Sequence, residues 1–494
     1  MKNITYTERN GILYPNLALP EKTNYTLGKY ANLRLDFIKK HRRGKYTTLI
    51  TEGRLNEYLH AIDIRAHELL DDIIPRLAQE RGIDEDLKAY NALQWAAEIS
   101  CMERFFTLLA ECGINVLAYT GADYADDPDL TMKLLDLGEK YGIGIYVTDS
   151  YITSNIGENT LSLEELDERV NNYINHPACL GLQVVDEPVS DNYNSYHPEK
   201  NMKLYALLFK RLNELGVTTY GNLYRLNELG PIKYEMYVQE FIDTCPTKYL
   251  EFDNYPFKTD DSMEYALNWF QNLSIIRDNA EEAGIPFWTF IQAGAQWNDA
   301  KEKIETNGYF PSEGGFNWLV NTALAYGTKG IHYFPTVQPS HFAYTKTDDL
   351  DFQRNGLIGA WGDKNRWYYY AQNANEHIAV IDEVLMNSVN KGILLSGTMM
   401  DGHFDDVKFI LEGTSWRELK DISGEAMVGC FNYLGKSAFY VVNYDTEYAQ
   451  EITLDFYDSY NMRVVQKAET SYINTNSLTL QVHAGDGVLI VIEN

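Results

Sequence analysis

Two adjacent carboxylates follow an apolar run in Gly181-Leu-Gln-Val-Val-Asp186-Glu187-Pro188. Charge at the end of a buried strand is unfavourable unless it is hydrogen-bonded or used. A partly desolvated Glu has a raised pKa and keeps its proton closer to neutrality, which is what a general acid needs. In the purely structural alternative, Asp186 ties neighbouring strand ends together and Glu187 caps the next helix. A second acidic group stands in Glu251-Phe-Asp253-Asn-Tyr255-Pro256. Asp253 is the candidate second carboxylate, as nucleophile or base, although Asp-Asn before Tyr-Pro is also ordinary turn chemistry. Glu251 shares a strand face with Asp253 but lies deeper, where it is expected to bond other core polar groups.

Further polar and aromatic residues end other apolar runs: Asp149, Asn222, Gln292, His332 and Tyr333. Asn222 is placed to bond a substrate hydroxyl or to tie its strand to the one carrying Glu187. Tyr255, Trp288, Trp297 and Tyr333 are candidate stacking platforms, and 37 Tyr with 8 Trp make such surfaces plentiful. Each of them competes with a plain core role, as do His332 and Asp149. There is no HExxH, no acidic calcium loop and no His pair at helical spacing, so no metal is expected. The Gly-x-Ser-x-Gly elbow is also absent.

These residues sit in a repeating frame. From about 94 to 375, helical stretches alternate with short apolar strands at 114–119, 143–149, 182–185, 218–224, 249–253, 286–291 and 330–334. Strands apolar on both faces imply a parallel sheet covered by helices. Seven units plus an obscure first strand near Tyr46–Thr51 predict an α/β fold, a (β/α)8 TIM barrel, with an extra helical hairpin over 55–81. Such barrels carry their chemistry at the C-terminal strand ends, where the residues above stand. After 390 the pattern changes to β-runs about ten residues apart (393–395, 407–411, 427–431, 438–444, 451–456, 463–467, 478–482, 488–492), which predict a C-terminal antiparallel β-sandwich. The expected division is 1–390 for a barrel with an N-terminal helical extension and 391–494 for the β-sandwich domain.

With 42 Lys+Arg against 71 Asp+Glu the net charge is −29. The basic clusters are short, such as Lys39-Lys40-His41-Arg42-Arg43. A phosphate-backbone ligand needs a basic surface, so no nucleic-acid partner is expected. Five scattered cysteines suggest neither a zinc site nor a disulfide framework. No apolar leader opens the chain and no run of about 18 apolar residues appears, so a cytoplasmic protein without a membrane partner is expected.

The segment His176-Pro-Ala-Cys-Leu-Gly181, its apolar strand and Asp186-Glu187-Pro188 resemble the strand-four segment of clan-A-type glycoside hydrolases. Gly113-Ile-Asn-Val and Asp253-x-Tyr255-Pro256 are similar to segments of the same barrels. The stretch Val428-Gly-Cys-Phe-Asn with Val441-Val-Asn443-Tyr resembles the small β-domain that trails them, as in family 42 β-galactosidases. The resemblance implies a glycosidase acting on an oligosaccharide or glycoside without a cofactor, with Glu187 as proton donor and Asp186 and Asp253 as the other carboxylates. Two departures stand out. Asp186 occupies a position usually held by Asn, and Gln292 ends the strand that carries the nucleophile Glu in retaining members. Either Asp253 supplies the second carboxylate, or Asp186-Glu187 acts as the pair of substrate-assisted 2-acetamido-sugar hydrolases, or the barrel only binds carbohydrate.

Overall fold

The computed structural model describes residues 6–9, 12–15, 29–51, 53–65, 102–118, 121–157, 161–193, 198–226, 230–257, 266–294, 297–298, 303–304, 311–337, 356–359, 362–400 and 407–493. The chain divides into two compact units, Met1–Cys101 and Met102–Asn494.

The first unit holds a short hairpin, β1 (Tyr6–Arg9) with β2 (Ile12–Pro15). Three helices follow: α1 (Lys29–His41), α2 (Arg43–Thr51) and α3 (55–65). Ala31, Ile38, Leu49 and Leu59 form their shared core. The first barrel strand expected near Tyr46–Thr51 is therefore helix α2. Its β-favouring Thr residues are accommodated because Thr47, Thr48 and Thr51 each return a hydroxyl to the carbonyl four residues earlier, at 2.8–3.0 Å. Of the expected hairpin over 55–81, only 55–65 is described, and it is helical.

The second unit is mixed α/β with a parallel sheet and a C-terminal antiparallel sheet. Helix α4 (102–111) is the described part of the stretch expected over 94–112. Then come β3 (Val116–Leu117), α5 (Pro128–Tyr141), β4 (Gly144–Thr148), α6 (Ser150–Gly157), α7 (Leu163–Val170) and β5 (Cys179–Asp186). Next are α8 (Met202–Glu214), β6 (Thr218–Asn222), α9 (Pro231–Thr244), β7 (Leu250–Phe252), α10 (Ala266–Ala283) and β8 (Phe287–Gln292). A two-residue pair, β9 (Trp297–Asn298) and β10 (Lys303–Ile304), precedes α11 (Glu313–Tyr326), β11 (Gly330–Phe334) and α12 (Arg366–Met386).

Local chemistry sets these boundaries. Asp127 caps α5 by accepting from the Leu130 N–H, and Gly142 ends that helix at φ 70°. Ser162 and Glu165 form the reciprocal capping box that their spacing predicts for α7.

Seven parallel strands run in chain order, β3-β4-β5-β6 and β7-β8-β11, with Leu223 bridging to Phe252 between the two groups. No eighth strand is present among the described residues. The sheet is nevertheless strongly curled. Strands β6 and β11 lie three places apart, which in a flat sheet means about 14 Å. The Tyr220 and His332 ring centroids are only 5.8 Å apart. Tyr146, Tyr220, Tyr249, Trp288 and Ala118 share one core on the enclosed face.

The C-terminal sheet comprises β12 (Ser388–Ser396), β13 (Leu419–Ser423), β14 (Ala426–Tyr433), β15 (Lys436–Asn443), β16 (Gln450–Gln466), β17 (Glu469–Val482) and β18 (Gly487–Ile492). Its order is β12-β14-β15-β18-β16-β13, with β17 on β16. The expected runs 451–456 and 463–467 are one strand, β16, whose register breaks between Asp455 and Tyr460. One half of β16 pairs with β13 and the other with β18, and the sheet encloses a core of its own. The run 407–411 is a turn that bridges to β12 through Ile410, whereas β13 has too polar a sequence to read as a strand.

Helix α11 is buried along nearly its whole length, against β8 on one side and β14 and β15 on the other. The Tyr440 hydroxyl donates to Asn321 Oδ1 at 2.6 Å, and Asn321 Nδ2 donates to the Gly485 carbonyl at 2.9 Å. Contact is so close that a Cβ on Gly314 would stand 2.0 Å from the Thr446 carbonyl oxygen. Gly314→Ala should therefore cost about 1–3 kcal/mol of stability by overpacking, read as a lower urea midpoint. An unchanged midpoint would mean that this contact yields freely.

Candidate active site

The C-terminal end of β5 is fixed by Asn222 on β6. The Asn222 carbonyl accepts the Glu187 N–H at 2.8 Å, and its side-chain Nδ2 donates to Asp186 Oδ1 at 3.0 Å. Asn222 is 3% exposed, and its Oδ1 is buried without a hydrogen-bond partner in the described structure. Glu187 adopts φ 51°, a left-handed conformation that costs a non-glycine residue stability. Such strain persists only where the surroundings enforce it, and here they do. The Tyr237 hydroxyl donates to the Pro188 carbonyl at 2.8 Å, and Tyr193 stacks on Tyr237 at 4.3 Å. The Tyr234 hydroxyl donates to the Tyr224 carbonyl at 2.6 Å, and the Tyr193 hydroxyl to the Arg225 carbonyl at 2.7 Å.

Three carboxyls share this end of the sheet. Burial raises the Glu187 pKa, and the Asp186 charge adds to the rise; Lys200, Arg225 and a hydrogen bond with the Tyr224 side chain pull it down. Asp253 follows β7, its N–H donating to the Leu223 carbonyl at 3.3 Å. Burial holds its pKa well above the usual carboxylate range, with the Glu187 and Asp186 charges adding to the effect and Arg225 opposing it. Its Oδ1 is buried without a hydrogen-bond partner among the described residues. Glu187, Asp186, Asp253 and Asn222 are thus brought together.

Tyr255 lies beside them on the chain, 7% exposed, with its ring 5.5 Å from that of Phe334. Phe334 is 48% exposed at the end of β11 and forms an aromatic ledge with Tyr255 and Phe290.

Gln292 has a different employment. Its Nε2 donates to the carbonyls of Phe257 and Gly294 at 2.7 and 3.1 Å, and its Oε1 accepts the Phe257 N–H at 3.0 Å. A carboxylate could not donate to those two carbonyls, so an amide is required at this strand end. Asp149 is fully buried and held in a forked pair by Arg169, the nearest contact being 2.7 Å. Trp288 stacks on Tyr249 at 4.2 Å near the N-terminal end of β8, and His332 Nδ1 lies 2.5 Å from Glu251 Oε1 inside the sheet. Glu251 thus lies against a core polar group, but neither of its carboxyl oxygens has a hydrogen-bond partner among the described residues. Tyr333 points to the helices, stacking on Phe316 at 5.7 Å and donating to Asn375 Oδ1 at 2.8 Å. The Trp297 side chain lies outside the described residues.

Sequence reading did not single out Arg225, Lys200, Tyr193, Tyr234 or Tyr237. Only the tyrosine excess hinted at the wall behind Glu187. Among the described residues no cluster of His, Cys, Asp and Glu has the arrangement of a metal site, and no helix is long and apolar enough to cross a membrane.

Residues 5–105 match the family model described as transposon-encoded protein TnpV, a stretch that coincides with the first unit to within a few residues. No curated protein matches the chain. Among solved structures, a glucosidase from Croceicoccus marinus is similar with TM-score 0.39 and 11% identity, over 78% of this chain and 90% of that one. A β-galactosidase from Marinomonas ef1 gives TM-score 0.42 and 11% identity, over 60% and 61%. A GH30 endoxylanase from Clostridium papyrosolvens C71 gives 0.39 and 10%, over 80% and 93%. Likenesses this low do not bear on chemistry, which rests on the residues themselves.

If the left-handed turn is held for the sake of the Glu187 carboxyl, glycine should suit it better. Glu187→Gly should be more stable than Glu187→Ala by about 1 kcal/mol in urea unfolding. Equal stabilities would show that position 187 carries no strain.

Proposed function

We propose that the second unit is a glycoside hydrolase cleaving an O-glycosidic bond with the Glu187–Asp253 carboxyl pair. In this reading the curled sheet is a (β/α)8 barrel, residues 391–494 are its trailing β-sandwich domain, and residues 1–101 are a module of their own. The observation that carries the proposal is the set of three carboxyls at one end of the sheet, Asp186 and Glu187 closing β5 and Asp253 following β7, with β6 and its Asn222 between them; burial raises the pKa of Glu187 and of Asp253. Burial and mutual repulsion oppose ionising all of them, and in this reading one carboxyl keeps its proton.

That proton belongs on Asp253. Glu187 has Lys200, Arg225 and Tyr224 to support its charged form, whereas the buried Asp253 Oδ1 receives no hydrogen bond from the described residues. Asp253 then donates to the leaving oxygen, taking the role expected for Glu187. Ionised Glu187 serves the anomeric carbon as nucleophile or base, the separation of the two deciding between retention and inversion. Positive charge developing on the sugar is stabilised by Glu187 and Asp186. Asn222 Oδ1 accepts a sugar hydroxyl, and the Tyr255–Phe334 ledge takes an apolar sugar face.

Sugar release should be measured with unactivated oligosaccharides and dinitrophenyl glycosides, for wild type, Asp253→Asn and Glu187→Gln. Asp253→Asn should lose about 10²–10⁴-fold on unactivated substrates yet retain turnover of the activated ones. Glu187→Gln should lose both. The reverse pattern would return the donor role to Glu187, and silence from wild type across the panel would leave a barrel that only binds.

Acidity also enters stability. Both pKa values are raised on folding, so the contribution of each group is complete below its unfolded value, near pH 4, and is lost as pH rises through the folded value. Asp253→Asn should therefore flatten the decline of Tm between about pH 4 and pH 8, by roughly 2–4 °C per kcal/mol removed. An undiminished decline would place the penalty elsewhere.

A further inference from the structure

The net charge of −29 is unevenly shared. Residues 1–101 carry 15 Lys+Arg and 14 Asp+Glu, whereas the remaining residues carry 27 and 57. Within residues 29–45 there are seven Lys or Arg and a single acidic residue, Asp36. The corner where α1 meets α2 exposes Lys39, Lys40, Arg42, Arg43 and Lys45. No ion pair among the described residues engages any of the five. Five cations in seven residues repel one another, and a polyanion relieves that cost.

The corner leads into a defined turn. Gly53, at φ 68°, donates its N–H to the Ile50 carbonyl at 3.0 Å, and the Arg54 N–H bonds the Leu49 carbonyl at 2.9 Å. This paired closure stops α2. Three residues separate the end of α2 from the start of α3, and Leu49 and Leu59 lock the two into one core. Two helices joined by a three-residue glycine turn can lay the second along a groove of duplex DNA. The exposed residues of α3 are Asn56, Glu57, Ala61, Ile64 and Arg65, and the exposed Arg54 stands just before it.

We infer that the α1–α2 corner is a docking surface for double-stranded DNA, its five cations gripping phosphates while α3 follows into the major groove. Single strands fit less well, because they are held by free aromatic faces. Here the Tyr58 ring already lies under Lys45 at 4.5 Å and Arg34 at 5.9 Å, and Tyr46 lies under Lys39 at 5.9 Å. Double-stranded RNA fits less well because the deep, narrow A-form groove excludes a helix. The negative charge of the second unit is screened beyond about 10 Å at 0.1 M salt, so a local basic surface can act despite it. This surface depends in no way on the carboxyl site.

The test is fluorescence anisotropy of the full chain with a labelled random 25-base-pair DNA duplex between about 50 and 200 mM salt. Binding should be on the order of micromolar at the lowest salt, and log K should fall against log salt with a slope of about −3 to −5. Lys40→Ala/Arg42→Ala/Arg43→Ala should make that slope shallower by about 2–3 units. Arg42→Lys/Arg43→Lys should keep it, and Lys210→Ala/Lys420→Ala, on the second unit, should leave it unchanged. Circular dichroism of each variant confirms that α1–α3 are intact. No binding at 50 mM salt, a slope indifferent to the triple change, or tighter binding of single-stranded DNA or double-stranded RNA would overturn the inference. Sugar release should be the same in the triple variant and the wild type.

Discussion

One asparagine holds the site together. Asn222 accepts the Glu187 N–H through its carbonyl and donates to Asp186 through its amide. These two bonds set where β5 ends, force the chain into its left-handed turn and aim consecutive carboxyls differently. Everything else at this end of the sheet works against relaxation of that turn. Four tyrosines pack behind it, three of them donating hydroxyls to loop carbonyls. A hydroxyl is a well-suited donor here, because it ends a rigid apolar ring and so satisfies backbone without adding charge. An arginine in the same place would neutralise the carboxyls and lower the pKa values that the site needs raised.

The cost of crowding three carboxyls is carried by a large framework. The unit that holds these carboxyls has a core that includes the fully buried Trp269, Trp318 and Phe270. Trp269 donates to Thr322 at 3.0 Å, tying α10 to α11, and α11 in turn joins the parallel sheet to the C-terminal sheet. A local penalty of a few kcal/mol is tolerable only where burial elsewhere is extensive. The C-terminal sheet thus bears on the site without touching it, since it covers a helix that would otherwise leave an apolar face in water.

The repeating strands and helices of the second unit were legible because each strand is short, apolar on both faces and bounded by capping signals. Asp186, Glu187 and Asp253 could be picked out because charge next to a buried strand is conspicuous. What failed did so for identifiable reasons. The segment 46–51 has β-favouring residues, yet its threonines bond back along a helix and Leu49 is drawn into a helical core. Gln292 read as a substrate ligand or a lost nucleophile, since sequence does not show that Phe257 and Gly294 lie opposite its amide. The tyrosine wall was invisible because Tyr193, Tyr224, Tyr234 and Tyr237 come from three different segments. Their only sequence trace was an excess in composition, which says nothing of place. The basic cluster Lys39-Lys40-His41-Arg42-Arg43 was visible but read as too short for a phosphate-binding surface, because sequence does not show that Lys45 joins it on an exposed helical corner.

The amide at Gln292 also bears on where a second carboxylate can stand. Two of its three bonds hold the backbone at Phe257, four residues beyond Asp253, against the end of β8. Replacing that amide by a carboxylate would set negative charge against two carbonyl oxygens and loosen the loop that carries Asp253 and Tyr255. The strand end after β8 therefore cannot supply the partner for Glu187 without disordering the strand end that can. With that position committed to backbone, Asp253 is the carboxyl that the proposed mechanism pairs with Glu187, and its Oδ1, buried without a partner among the described residues, suits it to hold the proton there. The amide that seems to remove a catalytic group is, on this argument, what keeps the remaining one in place.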